Sequence, residues 1–130
     1  MKIGKTEKIL LKAASNGPLC FTLLDSQNTP IKSLPTIIKT IEDSQTAAIF
    51  IGGSTISDQM EIEKFVNEIK KLTQLPIILF PGNISGVASN ADAILFMSLL
   101  NSDNPYFITG AQALGSVSYT HLTLPTIYSV

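Results

Sequence analysis

Four short apolar runs set the rhythm of this chain: residues 19–24, 47–51, 77–80 and 93–97. None alternates cleanly between apolar and polar positions. They therefore read as strands of a parallel sheet covered on both faces. Between them the apolar period lengthens to that of helices. Residues 3–15 predict a helix with Ile9, Leu10, Ala13 and Ala14 inward and Lys5, Lys8 and Lys12 in solvent. Asn16-Gly17-Pro18 ends it, because glycine accepts a left-handed cap and proline cannot continue a helix. A second helix buries Leu34, Ile37, Ile38 and Ile41, with Ser33 as N-cap and Pro30 and Pro35 near its start. A third buries Ile62, Phe65, Val66, Ile69 and Leu72 behind an Asp58/Glu61 capping pair. After the fourth strand, Asn104-Pro105 is an N-cap followed by proline at the first helical position. Tyr106, Phe107, Ala111 and Leu114 then form an inward face, closed by Gly115.

The strand starts at positions 19, 47, 76 and 93 are 28, 29 and 17 residues apart. The first two intervals fit βα units, whereas the third is too short to hold a full helix. The crossover at residues 84–90 is therefore expected to be irregular. The fold class is α/β: four parallel βα units with a short third crossover, half the number in an eight-stranded barrel. In such folds the loops after the strand C-termini carry the chemistry.

Composition narrows the function. The chain has 130 residues, 45% hydrophobic and 15% charged. That is one core-rich domain, able to bury about 65–70% of its unfolded surface. A formal charge of −1 with interspersed signs gives no pull toward nucleic acid. Cys20, the one cysteine, lies in an apolar strand and is expected to be a buried thiol. The longest strongly apolar stretch, 93–100, falls far short of the ~20 residues of a membrane span. With no signal-peptide pattern at the N-terminus, the expected location is cytoplasmic.

Two places after strand ends hold candidate chemistry. Asp25 follows the first strand and reads equally well as a turn residue or a ligand. Gly52-Gly53-Ser54-Thr55 follows the second. It can serve as a tight turn with a capping hydroxyl, or as an anion cradle beside a helix N-terminus. Pro81-Gly82-Asn83 and residues 98–102 face the same rim, where turn formation accounts for each residue singly.

The runs ILFPGN, ADAILFMSLLNS and NPYFITGAQALG resemble the archaeal-type geranylgeranylglyceryl phosphate synthase family, over roughly residues 5–115. The resemblance implies the N-terminal half of a modified (β/α)8 TIM barrel. It implies a Mg²⁺-dependent prenyltransferase that joins geranylgeranyl diphosphate to sn-glycerol 1-phosphate, making the first ether bond of archaeal membrane lipids. Asp25 and Ser54 match the positions that hold the magnesium, and Gly52 and Gly53 lie on the diphosphate side. The family usually has Asp-Pro after the first strand, whereas this chain has Asp25-Ser26. The family's glycerol phosphate site lies on later strands with no counterpart here. No catalytic residue is therefore assigned, and the chain alone is expected to be inactive. A homo-oligomeric full-length enzyme and transient contact with a membrane surface are also implied.

From Ser116 the character changes. VSYTHLTLPT looks like the translation of a sequencing adapter, so residues 1–116 are expected to form the half-barrel and 117–130 a non-native tail. The alternative is a fifth strand, since Tyr119, Thr123, Ile127 and Tyr128 favour β structure. His121 receives no role on the first reading. Two rival functions are a non-catalytic flavodoxin-like phosphate-binding module and another phosphate-binding barrel enzyme. The adapter-like tail speaks against the first, and the FPGN and MSLLNS runs against the second.

Overall fold

The computed structural model describes residues 3–53, 59–82, 86–95, 103–110, 113 and 126–127. Helix α1 (Lys5–Ala14) leads into strand β1 (Phe21–Asp25). A short 3-10 turn (Ile31–Ser33) feeds α2 (Leu34–Asp43), followed by β2 (Ala48–Gly53) and α3 (Gln59–Lys70). Strands β3 (Ile77–Pro81) and β4 (Ala93–Leu95), a π-helical turn (Tyr106–Gly110) and the two-residue β5 (Thr126–Ile127) complete the order. All pairings are parallel and the strands lie in sequence order, β1-β2-β3-β4-β5. Four parallel strands in sequence order, with helices after the first two, make the expected half-barrel. A flavodoxin-like module is ruled out by the same order, because its first strand lies inside the sheet between the second and third. β5 falls within the segment expected to be a tail and pairs Thr126 with Ile94 and Ile127 with Leu95.

Side chains alternate across the sheet and separate two layers. On the outer face Leu24, Ile49, Ile51, Ile77, Leu79 and Ile94 pack against α2 and α3. The helices contribute Leu34, Ile38 and Ile41 from α2, and Ile62, Phe65, Val66 and Ile69 from α3. Fully burying each such side chain is worth about 1.5–3 kcal/mol, so this layer holds the fold together. On the inner face Leu10 of α1 covers Ala48, Ile78 and Ala93 near the strand starts. Beyond that cover, Phe21, Leu23 and Phe80 are 38%, 57% and 51% exposed. Phe50 stacks between Phe21 and Phe80, with ring centroids 4.9 and 6.3 Å away.

Several local expectations are corrected. α1 turns Thr6 and Leu10 inward while Ile9 and Ala14 are exposed. It meets the sheet along a narrow i, i+4 stripe, fixed by a hydrogen bond from the Thr6 hydroxyl to the Asp92 carbonyl at 3.1 Å. Ser33 stands at the N-cap of α2 without capping it, because the preceding 3-10 turn already gives it helical dihedrals of −88° and −12°. Leu72 lies past the end of α3 and is exposed. Cys20 precedes β1 and is exposed, since the strand starts two residues later than the apolar run suggests. Tyr106 is also exposed, although the Asn104 side chain does accept its N–H at 3.0 Å as an N-cap would. Asp58, Ala111, Leu114, Gly115 and the Phe107 side chain lie outside the described residues.

The β3–β4 crossover contains no α-helix among its described residues. Polar contacts secure it to α3 instead. Ser89 Oγ donates to Glu63 Oε1 at 3.1 Å, and Asn90 Nδ2 donates to the Glu63 carbonyl and Asn67 Oδ1 at 2.8 and 2.9 Å. Buried Val87 and Ala88 fill the space beneath.

Candidate functional site at the strand C-termini

The register brings the sequence candidates together. Asp25 pairs with Gly52, and Gly52 with Phe80, so the three sit side by side across β1, β2 and β3. Parallel partners share a face, which places Asp25 and Gly52 on the inner side of the sheet at its C-terminal rim. Gly53 pairs with Pro81 in the next row, facing the other way. Ser54, the second expected magnesium ligand, lies outside the described residues, as do Asn83 and residues 98–102.

Asp25 forms its own turn. Gln27 N–H donates to Oδ1 and the Asn28 side-chain amide to Oδ2, each at 2.9 Å. The Gln27 amide, with help from the Asn28 side chain, holds the carboxyl below its ordinary value of 3.8. The group therefore stays ionised through the whole physiological range. Any stability it lends the turn is complete above the ordinary carboxylate pKa and fades as pH falls through the lowered value. Of the two readings of Asp25, the structure shows the turn: it fixes a charged carboxylate on the inner face.

Gly52 is buried in the row, with Leu23 packed close over it. A Cβ there would lie 3.2 Å from Leu23 Cδ1 and 3.7 Å from the Phe80 carbonyl oxygen. Its own carbonyl accepts the Ser26 N–H at 3.3 Å, tying the Asp25 turn to β2. Ser26 is only 9% exposed, and its hydroxyl has no hydrogen-bond partner. The donors here are all oxygen, the set a hard cation prefers. Among the described residues no three His, Cys, Asp or Glu side chains cluster as a metal cage. One carboxylate fits Mg²⁺ binding in which phosphate oxygens and waters complete the shell.

The family model described as PcrB family matches residues 19–129. The chain belongs to the PcrB family. This PcrB-family chain is 50% identical over 115 residues to a geranylgeranylglyceryl phosphate synthase of Cenarchaeum symbiosum, covering 86% of this chain and 47% of that relative. It is 43% identical over 128 residues to the Pyrococcus abyssi protein of the same name, covering 98% and 51%. The crystal structure of (S)-3-O-geranylgeranylglyceryl phosphate synthase from Thermoplasma acidophilum in complex with substrate sn-glycerol-1-phosphate superposes with a TM-score of 0.82 at 32% identity. That match covers 97% of this chain and 51% of the other. The wild-type Thermoplasma volcanium enzyme gives 0.85 at 34% identity, covering 97% and 50%. The chain thus spans about half the length of the relatives it matches, and the half-barrel accounts for that share.

Two features of this PcrB-family chain are not legible in its sequence pattern. The stacked Phe21, Phe50 and Phe80 rings belong to three strands, and only the register aligns them. The unpaired Ser26 hydroxyl follows from three-dimensional burial. The one sequence signal for it is the serine standing where the resembled synthases usually have proline. Among the described residues no helix is long and apolar enough to cross a membrane.

Proposed function

We propose that this chain supplies the diphosphate-binding half of a prenyltransferase site. Completed by the remaining strands, that site joins a geranylgeranyl group to sn-glycerol 1-phosphate. In the reaction a glycerol hydroxyl oxygen bonds to carbon 1 of the prenyl chain and loses its proton. The carbon–oxygen bond to diphosphate breaks, and its electron pair leaves with pyrophosphate. Asp25 and Ser54 would hold Mg²⁺, which when bound neutralises charge on the departing pyrophosphate. Asp25 brings a carboxylate already ionised and oriented by Gln27 and Asn28. Gly52 adds no side chain to the row, so only the movable Leu23 lies over its backbone. The observation that carries the reading is the Asp25–Gly52 pair, side by side on the inner face at the rim. The names borne by the relatives support the substrate pair.

Asp25→Asn tests this. The amide oxygen can still accept the Gln27 N–H, so the fold survives while the charge is lost. Magnesium-dependent binding of pyrophosphate should weaken at least about tenfold, roughly 1.4 kcal/mol. Unchanged binding in the variant would remove Asp25 from the site.

A further inference from the structure

Beside the Asp25 turn lies one polar group that the fold does not use. Ser26 is nine-tenths buried and its Oγ is unpaired, although its N–H reaches the Gly52 carbonyl at 3.3 Å. A buried hydroxyl without a partner destabilises the fold that carries it. Local structure does not require one at this position. The turn is made by the Asp25 carboxylate with Gln27 and Asn28, and the strand tie is made by the Ser26 backbone. The other unpaired buried side-chain atom among the described residues, Asn90 Oδ1, has a structural context: its amide nitrogen joins the crossover to α3. The Ser26 hydroxyl has no such context. What adjoins Ser26, through its bond to the Gly52 carbonyl, is the row that holds the ionised Asp25 carboxylate.

We propose that the Ser26 hydroxyl is a binding group for the diphosphate, donating its hydrogen bond to a phosphate oxygen held at the Asp25–Gly52 rim. This rests on the diphosphate-site reading above. The chemistry suits the position. A hydroxyl already withdrawn from water loses little hydration on meeting an anion, and a charge-assisted O–H···O⁻ bond is stronger than a neutral one. The ligand-free chain carries an unpaired group that the bound chain satisfies, which concentrates the energetic difference in the bound state.

Equilibrium dialysis of labelled pyrophosphate with Mg²⁺ against the full 130-residue chain tests the proposal in any state of association. Ser26→Ala should bind pyrophosphate about tenfold to hundredfold more weakly than wild type. Ser26→Thr, which keeps the hydroxyl, should bind nearly as well as wild type. Without ligand, the thermal midpoint of Ser26→Ala should equal or exceed that of wild type, since the variant sheds an unsatisfied buried group. Wild-type affinity in Ser26→Ala, or a threonine variant as weak as the alanine one, would overturn the proposal. So would a ligand-free midpoint that falls along with affinity, because the hydroxyl would then be structural. An Asp25→Asn control separates the two ideas. Loss there with none in Ser26→Ala defeats this inference alone. Failure of the wild-type chain to retain pyrophosphate defeats the diphosphate-site reading and this inference with it.

Discussion

Replacing Gly52 with alanine separates the needs of the sheet from those of the site. No positive φ demands glycine at this position, so Gly52→Ala gains about 0.4–1 kcal/mol by restricting the unfolded chain. Against that, the new methyl lies 3.2 Å from Leu23 Cδ1, and something must yield by a few tenths of an ångström. Leu23 is 57% exposed and free to turn away, at about 0.5–1.5 kcal/mol for an off-rotamer side chain. The Phe80 carbonyl oxygen, at 3.7 Å, is an ordinary contact. These terms nearly cancel, and the thermal midpoint should move by less than about 5 °C. Binding should behave differently. The methyl projects from the inner face in the row of Asp25, where a diphosphate bound as proposed would approach the backbone. Pyrophosphate affinity in the presence of Mg²⁺, measured by equilibrium dialysis, should fall at least about tenfold. Affinity within twofold of wild type would show that nothing approaches Gly52, and that its glycine is incidental. A midpoint lowered by ten degrees would refute the steric reasoning instead.

Four further perturbations probe the frame around the site. Gly86→Ala should destabilise by about 1–3 kcal/mol in urea unfolding, because its Cβ would lie 2.9 Å from Pro81 Cβ and a proline ring cannot swing aside. A neutral result would mean that the crossover can shift off β3. Asp92→Ala should cost about 2 kcal/mol, mostly by orphaning the buried Ile77 N–H that the carboxylate accepts at 2.9 Å. Lys70→Met should cost under about 1 kcal/mol, since that 2.9 Å ion pair is more than one-third exposed on both sides. Equal losses would contradict this division. Deleting residues 117–130 removes only two described strand pairs and should leave the thermal midpoint unchanged. A clear fall would make β5 a working edge strand.

Much of the frame was legible because the signals were local. Apolar runs marked the strands, and the 17-residue interval is too short for a full helical third crossover. α3 followed its periodicity through Ile69 and departed from it only at Leu72, where the helix had ended. Failures came where burial depends on what lies opposite. Ile9 and Leu10 are equally apolar, yet only Leu10 meets the sheet, because Thr6 fastens α1 at one angle through Asp92. Cys20 looked like a core thiol from its neighbours in sequence and lies open at the strand start. The site shows the same division. Asp25 and Gly52 stand out as a strand-end carboxylate and a strand-end glycine. That they share a row depends on the register of two strands 27 residues apart, which no local pattern states.

The alternation that makes the outer face a core also determines what the inner face can become. Every second residue of β1 through β3 points inward, and at the strand starts α1 covers those positions with Leu10. Toward the C-terminal ends no described helix does so, and Leu23 and Phe80 remain more than half exposed beside Asp25 and Gly52. A carboxylate amid such neighbours is tolerable while water reaches it. Covering the aromatic row would tighten the electrostatics of Asp25 at once, because charges interact more strongly as the local dielectric falls. If Asp25 holds a cation as proposed, covering the apolar face and sharpening that cation site are one event. The face is costly when bare and the carboxylate is weak when wet, so whatever packs against Phe21, Phe50 and Phe80 stabilises the sheet and strengthens the site together. A binding half-site gains little from an apolar wall on its own account. The wall becomes useful when a second group must be excluded from water alongside the first, as an alkyl chain and its diphosphate must be.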